Sequence, residues 1–482
     1  MSKNLKLFLV FYLLILNLKI LTINNFTPGN LAIVRVPVAD LLWESAYAIT
    51  TAGLSQTDGT VTSLASSDPA TIYNNLGLGD SNCLRAYQLL LHETVLILEE
   101  RGAEVKIAVP HIFYLAGSKS ESIQRVQRNL NPQNNNSQNI PKSSYCETNL
   151  NSNLITNLEQ LDQEYLNSFW TLKANLIPVE TLIKLGIDLR NLPTPINFTQ
   201  PDLVAKHQNV ARLVRPVFNP QTQQSYSVGT RFRVIGCLEG TGWTPKNERV
   251  DLDLIVWCWD DRTQQLTHFT LPAHSYRTFA PSTFAEQKQA FVELIRSWTQ
   301  LQVGSFVPYV YSGASLINTC PVGQCPIKTS ANILGQPGYT RENYTQEPSV
   351  GLDCSCLISR AAQIVGIPYF YKNSATIERN LVEIRDIYDL TAGDIIWHTG
   401  HVMVVSDVEQ GLMIEARGYR QGFGCLHEIP ISKIFYGINS YADLLTYIKH
   451  NIPVRTLDDQ GNFFGQISRF KLLKLAPSRL TI

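Results

Sequence analysis

Apolar positions along the first quarter of the chain come in short runs broken by turn residues. "LAIVRVPVADLLW" opens residues 28 to 116, and "LLLHETVLILEERGAEVKIAVP" supplies two further runs on either side of Gly102. Runs of this length, rich in branched residues and separated by turn formers, predict β-strands. Residues 117 to 159 break the pattern. "NLNPQNNNSQNIPKSS" has almost no apolar residues and reads as a low-complexity linker or insertion. Strand-like runs resume in "VARLVRPV", "YSVGTRFRVIG", "DLDLIVWCWDD" and "LTHFTLP", so residues 160 to 278 predict a second small β domain, a barrel by its closely spaced turns.

The period then changes. In "STFAEQKQAFVELIRSWTQL", Phe291, Leu294, Ile295 and Trp298 share one helical face, and Thr283 with Glu286 fits a capping box at the start. Helix and strand patterns alternate from residue 282 to the end, which predicts an α+β domain. Within it, "GLDCSCLISRA" begins a second helix. Leu357, Ile358, Ala361, Ala362 and Val365 form its apolar stripe, Asp353 is a candidate N-cap, and Gly366 and Pro368 stop it. Cys354 would stand in the first turn, where the free N–H groups and the helix dipole favour a thiolate. A buried structural thiol is the competing reading of the same position.

A nucleophile needs a base. "HVMVV" and "LMIEA" read as neighbouring strands, and an odd-length connection places His401 directly across from Glu415. Histidine beside a carboxylate supplies a general base with its orienting group. His398, three residues earlier, is the rival base, expected in an exposed turn. The "HTGH" spacing lacks further ligands for a metal, and no metal or cofactor is expected.

Composition narrows the partners. Forty Lys and Arg balance forty Asp and Glu over 482 residues, giving no electrostatic footprint for nucleic acid. The nine cysteines are too sparse for a disulfide scaffold, and their odd number leaves one free or paired between chains. "CPVGQC" would allow a local Cys320–Cys325 pair. Lys3 and Lys6 precede an apolar run from Leu7 to Leu16, the layout of an export signal or anchor over residues 1 to 22. No other stretch reads as membrane-spanning.

Taken together, "DCSCLISRAAQIVGIP", "AGDIIWHTGHVMVVSD" and "MIEARG" resemble the NlpC-type cell-wall cysteine peptidases, a family with a papain-like fold. "VGSFVPYVYSGAS" is similar to their G-x-P-Y-x-W-G-G-x-S segment. The resemblance spans about residues 282 to 450. It implies Cys354 as nucleophile, His401 as base and Glu415 at the third, polar position, which is commonly histidine. It also implies Tyr309 lining the site, and Asp353 and Ser355 holding a substrate's α-amine. The β regions resemble the bacterial SH3-like barrels found in the γ-D-glutamyl-L-diamino acid endopeptidase branch, the second more loosely. The implied protein is an exported monomer that cuts peptidoglycan stem peptides or muropeptides at the γ-D-Glu to diamino acid bond, after a free L-Ala. It would insert in no membrane beyond its N-terminal segment. An amidase or acyltransferase on the same fold, and an inactive wall-binding protein, are the alternatives. The family's glycine after Cys-Ser is Cys356 here, its tryptophan is Tyr311 and its next glycine is Ser312. Cys356 is two residues past Cys354, about 200° round the helix, so it should neither replace nor bond to it.

Overall fold

The computed structural model describes residues 26–46, 85–114, 167–198, 201–205, 209–237, 252–278, 280–301, 305–317, 320–321, 329–331, 337–339, 350–418 and 421–478. The N-terminal segment 1–22, the stretch 117–159 and the Cys320–Cys325 pairing lie outside what it describes.

The first sheet contains β1 (Leu31–Val34), β2 (Val38–Leu42), β3 (Arg85–Leu90), β4 (Thr94–Arg101), β5 (Glu104–Ala108), β6 (Ser168–Leu172) and β7 (Leu176–Pro178), in the order β3-β2-β6-β5-β4-β1-β7. β4 and β5 form the hairpin expected at Gly102, which has φ +56°. The last two strands are a departure from the sequence reading, which placed them in the second β region. β6 instead pairs with β5 from Glu104↔Leu172 to Ala108↔Ser168. Side-chain packing accounts for this: Phe169 lies 5.2 Å from the Trp43 ring and joins Tyr114 in the first core.

The second sheet is β8 (Val210–Leu213), β9 (Arg231–Cys237), β10 (Leu254–Asp260), β11 (Gln265–Leu271) and β12 (Tyr276–Arg277), ordered β11-β10-β9-β8-β12. Tyr226, Phe232 and Phe269 meet one another at tilted and edge-to-face angles in its core. Among the described residues neither sheet closes on itself. The terminal strands β3 and β7, or β11 and β12, do not pair with each other, so the expected closed barrels are not shown.

The C-terminal α+β part begins with α1 (Phe284–Trp298). Its capping box between Thr283 and Glu286 forms as the sequence predicts. Phe291, Leu294, Ile295 and Trp298 are buried, each worth roughly 2 kcal/mol of transfer free energy. α2 (Cys354–Val365) packs against α1 and against the sheet β13 (Ile395–His398), β14 (His401–Asp407), β15 (Leu412–Arg417), β16 (Cys425–Pro430) and β17 (Phe470–Leu473), ordered β16-β15-β14-β13-β17. Strand alternation divides this sheet between two cores. Ile395, Trp397, Val402, Val404 and Ile414 meet α1 and α2, while Ile396, Met403, Val405 and Met413 meet α3 (Tyr441–Lys449). No helix among the described residues is long and apolar enough to cross a membrane.

α2 is buried on nearly every side, not only along its apolar stripe. The β regions cover its polar face. Arg360 reaches the first of them through Glu93 and the Gln88 carbonyl, and also bonds the Ala314 carbonyl. Gly366, at φ +92°, ends the helix, and a Cβ there would lie 2.3 Å from that of Ala280.

Candidate active site

Asp353 caps α2, accepting from the Cys356 backbone N–H at 2.6 Å, and leaves Cys354 as the first helical residue. The N–H of such a residue has no acceptor within the helix. The loop before it is held by the segment 308–315. The Asp353 N–H donates to the Gly313 carbonyl at 2.9 Å, and Tyr309 bridges to Leu352. Two glycines permit this approach. A Cβ at Gly313 would lie 2.5 Å from the Gly351 oxygen, and one at Gly351 would lie 2.4 Å from the Pro308 oxygen. Ser312, at a position where the resemblance leads one to expect glycine, takes φ +55° all the same.

Cys354 is partly exposed and free. His401, at the start of β14, lies near enough to Cys354 for the cysteine to be the leading influence raising its pKa. His401 Nε2 is 2.8 Å from Glu415 Oε2, which leaves Nδ1 as the ring nitrogen available to a thiol. The expected register needs correction. A bulge between Val405 and Asp407 sets Val404↔Ile414 and Val405↔Met413, so Glu415 stands opposite Met403, diagonal to His401. Both residues keep the same face, and the long carboxylate spans the diagonal.

Glu415 is fully buried. Its other oxygen accepts from Arg417 Nε at 2.7 Å and from His427 Nε2 at 3.1 Å. Burial would raise its pKa, but Arg417, His401 and His427 together hold it well below the usual carboxylate range. Burial likewise opposes the charge on His401, yet Cys354 and Glu415 outweigh it and lift the imidazole to about 9. Sequence reasoning missed Arg417 and His427. Arg417 was within reach of it, because period two puts residues 415 and 417 on one strand face.

His398 is not in an exposed turn. It ends β13 directly across from His401, is 9% exposed, and has its ring centroid 5.3 Å from that of His401. Burial, then the charges of His401 and Arg417, push its pKa down to about 3, and its Nε2 has no partner. It is a neutral ring packed on His401. Strand pairing across the two-residue Thr399-Gly400 turn is what draws it inward.

Tyr309 is half-buried and packs, like Cys354, against the core that holds α1 and α2. Burial and the nearby Cys354 and Asp353 charges push its phenol pKa up, so it stays a donor. Asp353 and Ser355 meet an ammonium, but the chain's own. Lys372 Nζ pairs with Asp353 Oδ2 and donates to Ser355 Oγ at 2.8 Å, while Ser355 donates to Asp353 Oδ1 at 2.9 Å. Nothing in the sequence pattern pointed to Lys372. Cys356 is free, fully buried in the first sheet's core, on the side of the helix away from the site.

No family model and no curated protein matches the chain. Among solved structures, an NlpC/P60 family protein from Bacillus cereus aligns at 13% identity over 83% of this chain and 94% of its own, with a TM-score of 0.42. NlpC2 from Trichomonas vaginalis aligns at 8% identity over 84% and 95%, with a TM-score of 0.26. The peptidoglycan hydrolase RipB from Mycobacterium tuberculosis aligns at 24% identity over 31% and 62%, with a TM-score of 0.18. At such TM-scores these likenesses carry no weight of their own, and the functional reading rests on the site.

Proposed function

We propose that the protein is an exported cysteine peptidase of peptidoglycan stem peptides, cutting the γ-D-Glu to diamino acid bond. The observation that carries the chemistry is the line Cys354–His401–Glu415, with the cysteine at a helix N-terminus and the carboxylate buried behind the imidazole. The motif order around these residues supports the substrate class.

In this reading His401 takes the Cys354 proton, and the thiolate attacks the γ-D-Glu carbonyl carbon. The Cys354 backbone N–H and the Tyr309 hydroxyl face the developing oxyanion. His401 then gives its proton to the leaving amine, and water attacks the thioester to regenerate the thiol. Glu415 holds the imidazole orientation and balances its charge. Asp353 and Ser355 are left out of substrate binding, since Lys372 occupies their acceptors. The reading therefore keeps the bond and drops the requirement for a free L-Ala amine.

The experiment is mass spectrometry of the L-Ala-γ-D-Glu-diamino acid tripeptide, incubated with the protein or its Cys354→Ala variant under reducing conditions. Release of L-Ala-D-Glu by the parent alone is expected. Intact peptide with both would overturn the proposal.

A further inference from the structure

The first sheet reaches the turn after Tyr309 through the amide of Gln88. This side chain, on β3, is fully buried. Its Oε1 accepts from the Ala314 backbone N–H at 3.0 Å and from Ser315 Oγ at 2.7 Å. A glutamine amide has a donor end and an acceptor end, and its other neighbours decide which end faces where. Here Asp40, its cross-strand partner on β2, accepts from Gln88 Nε2 at 2.9 Å. A carboxylate only accepts, so the oxygen of Gln88 is the end presented to the turn. Arg85 Nε donates to the same Asp40 oxygen at 2.6 Å, and Arg85 Nη1 reaches the Tyr311 carbonyl at 3.5 Å.

The nucleophile's helix grips the same peptide from the other side. Arg360, on α2, donates from Nε to the Ala314 carbonyl at 3.0 Å and from Nη2 to the Gln88 carbonyl at 2.8 Å. Ala314 therefore has its N–H held by the first sheet and its carbonyl held by α2. Tyr309 and Ala314 both bridge to Leu352, two residues before Cys354, and the Asp353 N–H donates to the Gly313 carbonyl. Ser312 lies between them with φ +55° and is 8% exposed. A non-glycine residue held in that region persists where its surroundings over-determine it. Relaxing Ser312 to negative φ would swing Tyr309 relative to Ala314.

We infer that Gln88 is a positioning residue for the proposed reaction: by holding Ala314 and Ser315 it keeps the Ser312 turn closed and so fixes Tyr309 against Cys354. The inference rests on the peptidase reading, with Tyr309 as an oxyanion donor. It makes the first β region part of the construction of the site, acting through the turn and not by touching substrate.

The test is tripeptide cleavage by the full chain with Gln88→Met, which keeps the length of the side chain and removes both ends of the amide. kcat should fall on the order of 10²-fold, the scale of one lost oxyanion donor, with KM little changed. Cys354 alkylation against pH should match the parent's, whereas a loosened α2 would lower it in step with kcat. Ser312→Gly removes the strain that the clamp opposes, so in that background Gln88→Met should cost much less. An unchanged kcat, an alkylation rate that falls with it, or the same loss in both backgrounds would overturn the inference. Should Gln88→Met not fold, Gln88→Glu decides. It keeps the acceptor but sets it against Asp40, so kcat should fall, and adding Asp40→Asn should restore it; no recovery would refute the clamp. A parent that leaves the tripeptide intact would sink the peptidase reading instead. Hydrogen exchange then tests the clamp alone: the amides of residues 309–315 should exchange faster in Gln88→Met while those of 401–417 do not, and equal exchange at 309–315 would refute it.

Discussion

Glu415 reaches His401 across a strand diagonal, at 2.8 Å, while its second oxygen is held by Arg417 and His427. The carboxylate is thereby fixed from one side and free to orient the imidazole on the other. Glu415→Gln keeps the shape and removes the charge. We expect kcat to fall roughly 10⁴-fold, the order seen when a triad acid becomes its amide. The same variant should lower the pH at which His401 loses its proton, read from the rate of Cys354 alkylation against pH. An unchanged alkylation profile would show that Glu415 does not act on His401.

The pH dependence has a defined direction. The folded pKa of His401, about 9, lies above the ordinary 6.5. Its charged form contributes stability in full below about pH 6.5, and that contribution is lost as pH rises through about 9. His398 behaves oppositely. Its folded pKa of about 3 means that stability is lost as pH falls below 6.5 toward 3. Urea midpoints across pH 4 to 10 should therefore decline on both sides of neutrality. In Cys354→Ala the alkaline decline should move to lower pH, because the thiolate is a main source of the His401 shift. A profile that the substitution leaves unaltered would contradict the pairing of the two residues.

Much of this site was legible in local pattern. The α2 start, its Asp353 cap and its Gly366 stop follow from short-range rules, as does the capping box of α1. Period two put His401 and Glu415 on one face. The bulge before Asp407 and the turn to Leu412 were not legible, because they depend on how two strands settle together, and between them they leave the pairing two residues from the expected one. Nor was the placement of β6. Phe169 and Trp170 fall within residues 160 to 278, which the pattern assigned to the second β region, and only packing beside Trp43 and Tyr114 brings them into the first. Lys372 and Arg360 were invisible for a related reason: their partners lie 19 and 267 positions away.

Arg417 is expected to matter for stability as well as for chemistry. It is 4% exposed and its Nε is bonded to a fully buried carboxylate. Arg417→Met removes one partner of that charge, and breaking a buried pair costs on the order of 3 kcal/mol. Arg417→Lys restores a charge but not the fork, and should recover only part of the loss. Chemical denaturation of the two variants against the parent measures both effects. Equal stability in all three would show that His401 and His427 suffice for Glu415.

The two neighbouring cysteines should separate cleanly. Cys354 is partly exposed and faces His401, whereas Cys356 is fully buried and its pKa is pushed up by burial and by Asp353. Iodoacetamide at neutral pH should label Cys354 in the native protein and leave Cys356 until unfolding. Peptide mapping reads this directly, and prompt labelling of Cys356 would place it on the wrong side of α2.

Lys372 offers the sharpest division between readings of the substrate. Its ammonium is 3% exposed and already satisfies Asp353 and Ser355. Burial opposes the charge, but Asp353 and then Cys356 raise its pKa well above the usual lysine value. A substrate amine can use those acceptors only by displacing it, which would strand a buried charge. We therefore expect the free and N-acetylated tripeptides to be cleaved at rates within a few-fold of each other. In Lys372→Met the acceptors are exposed to the substrate, and the same comparison should swing toward the free amine, at a cost in stability of about 3 kcal/mol. A strong preference of the parent for the free peptide would mean that the amine enters by another route, with acids of the first β region the next to examine. Loss of all cleavage in Lys372→Met, with folding intact, would instead place Lys372 in the geometry of Cys354 itself, through the Asp353 cap that both share.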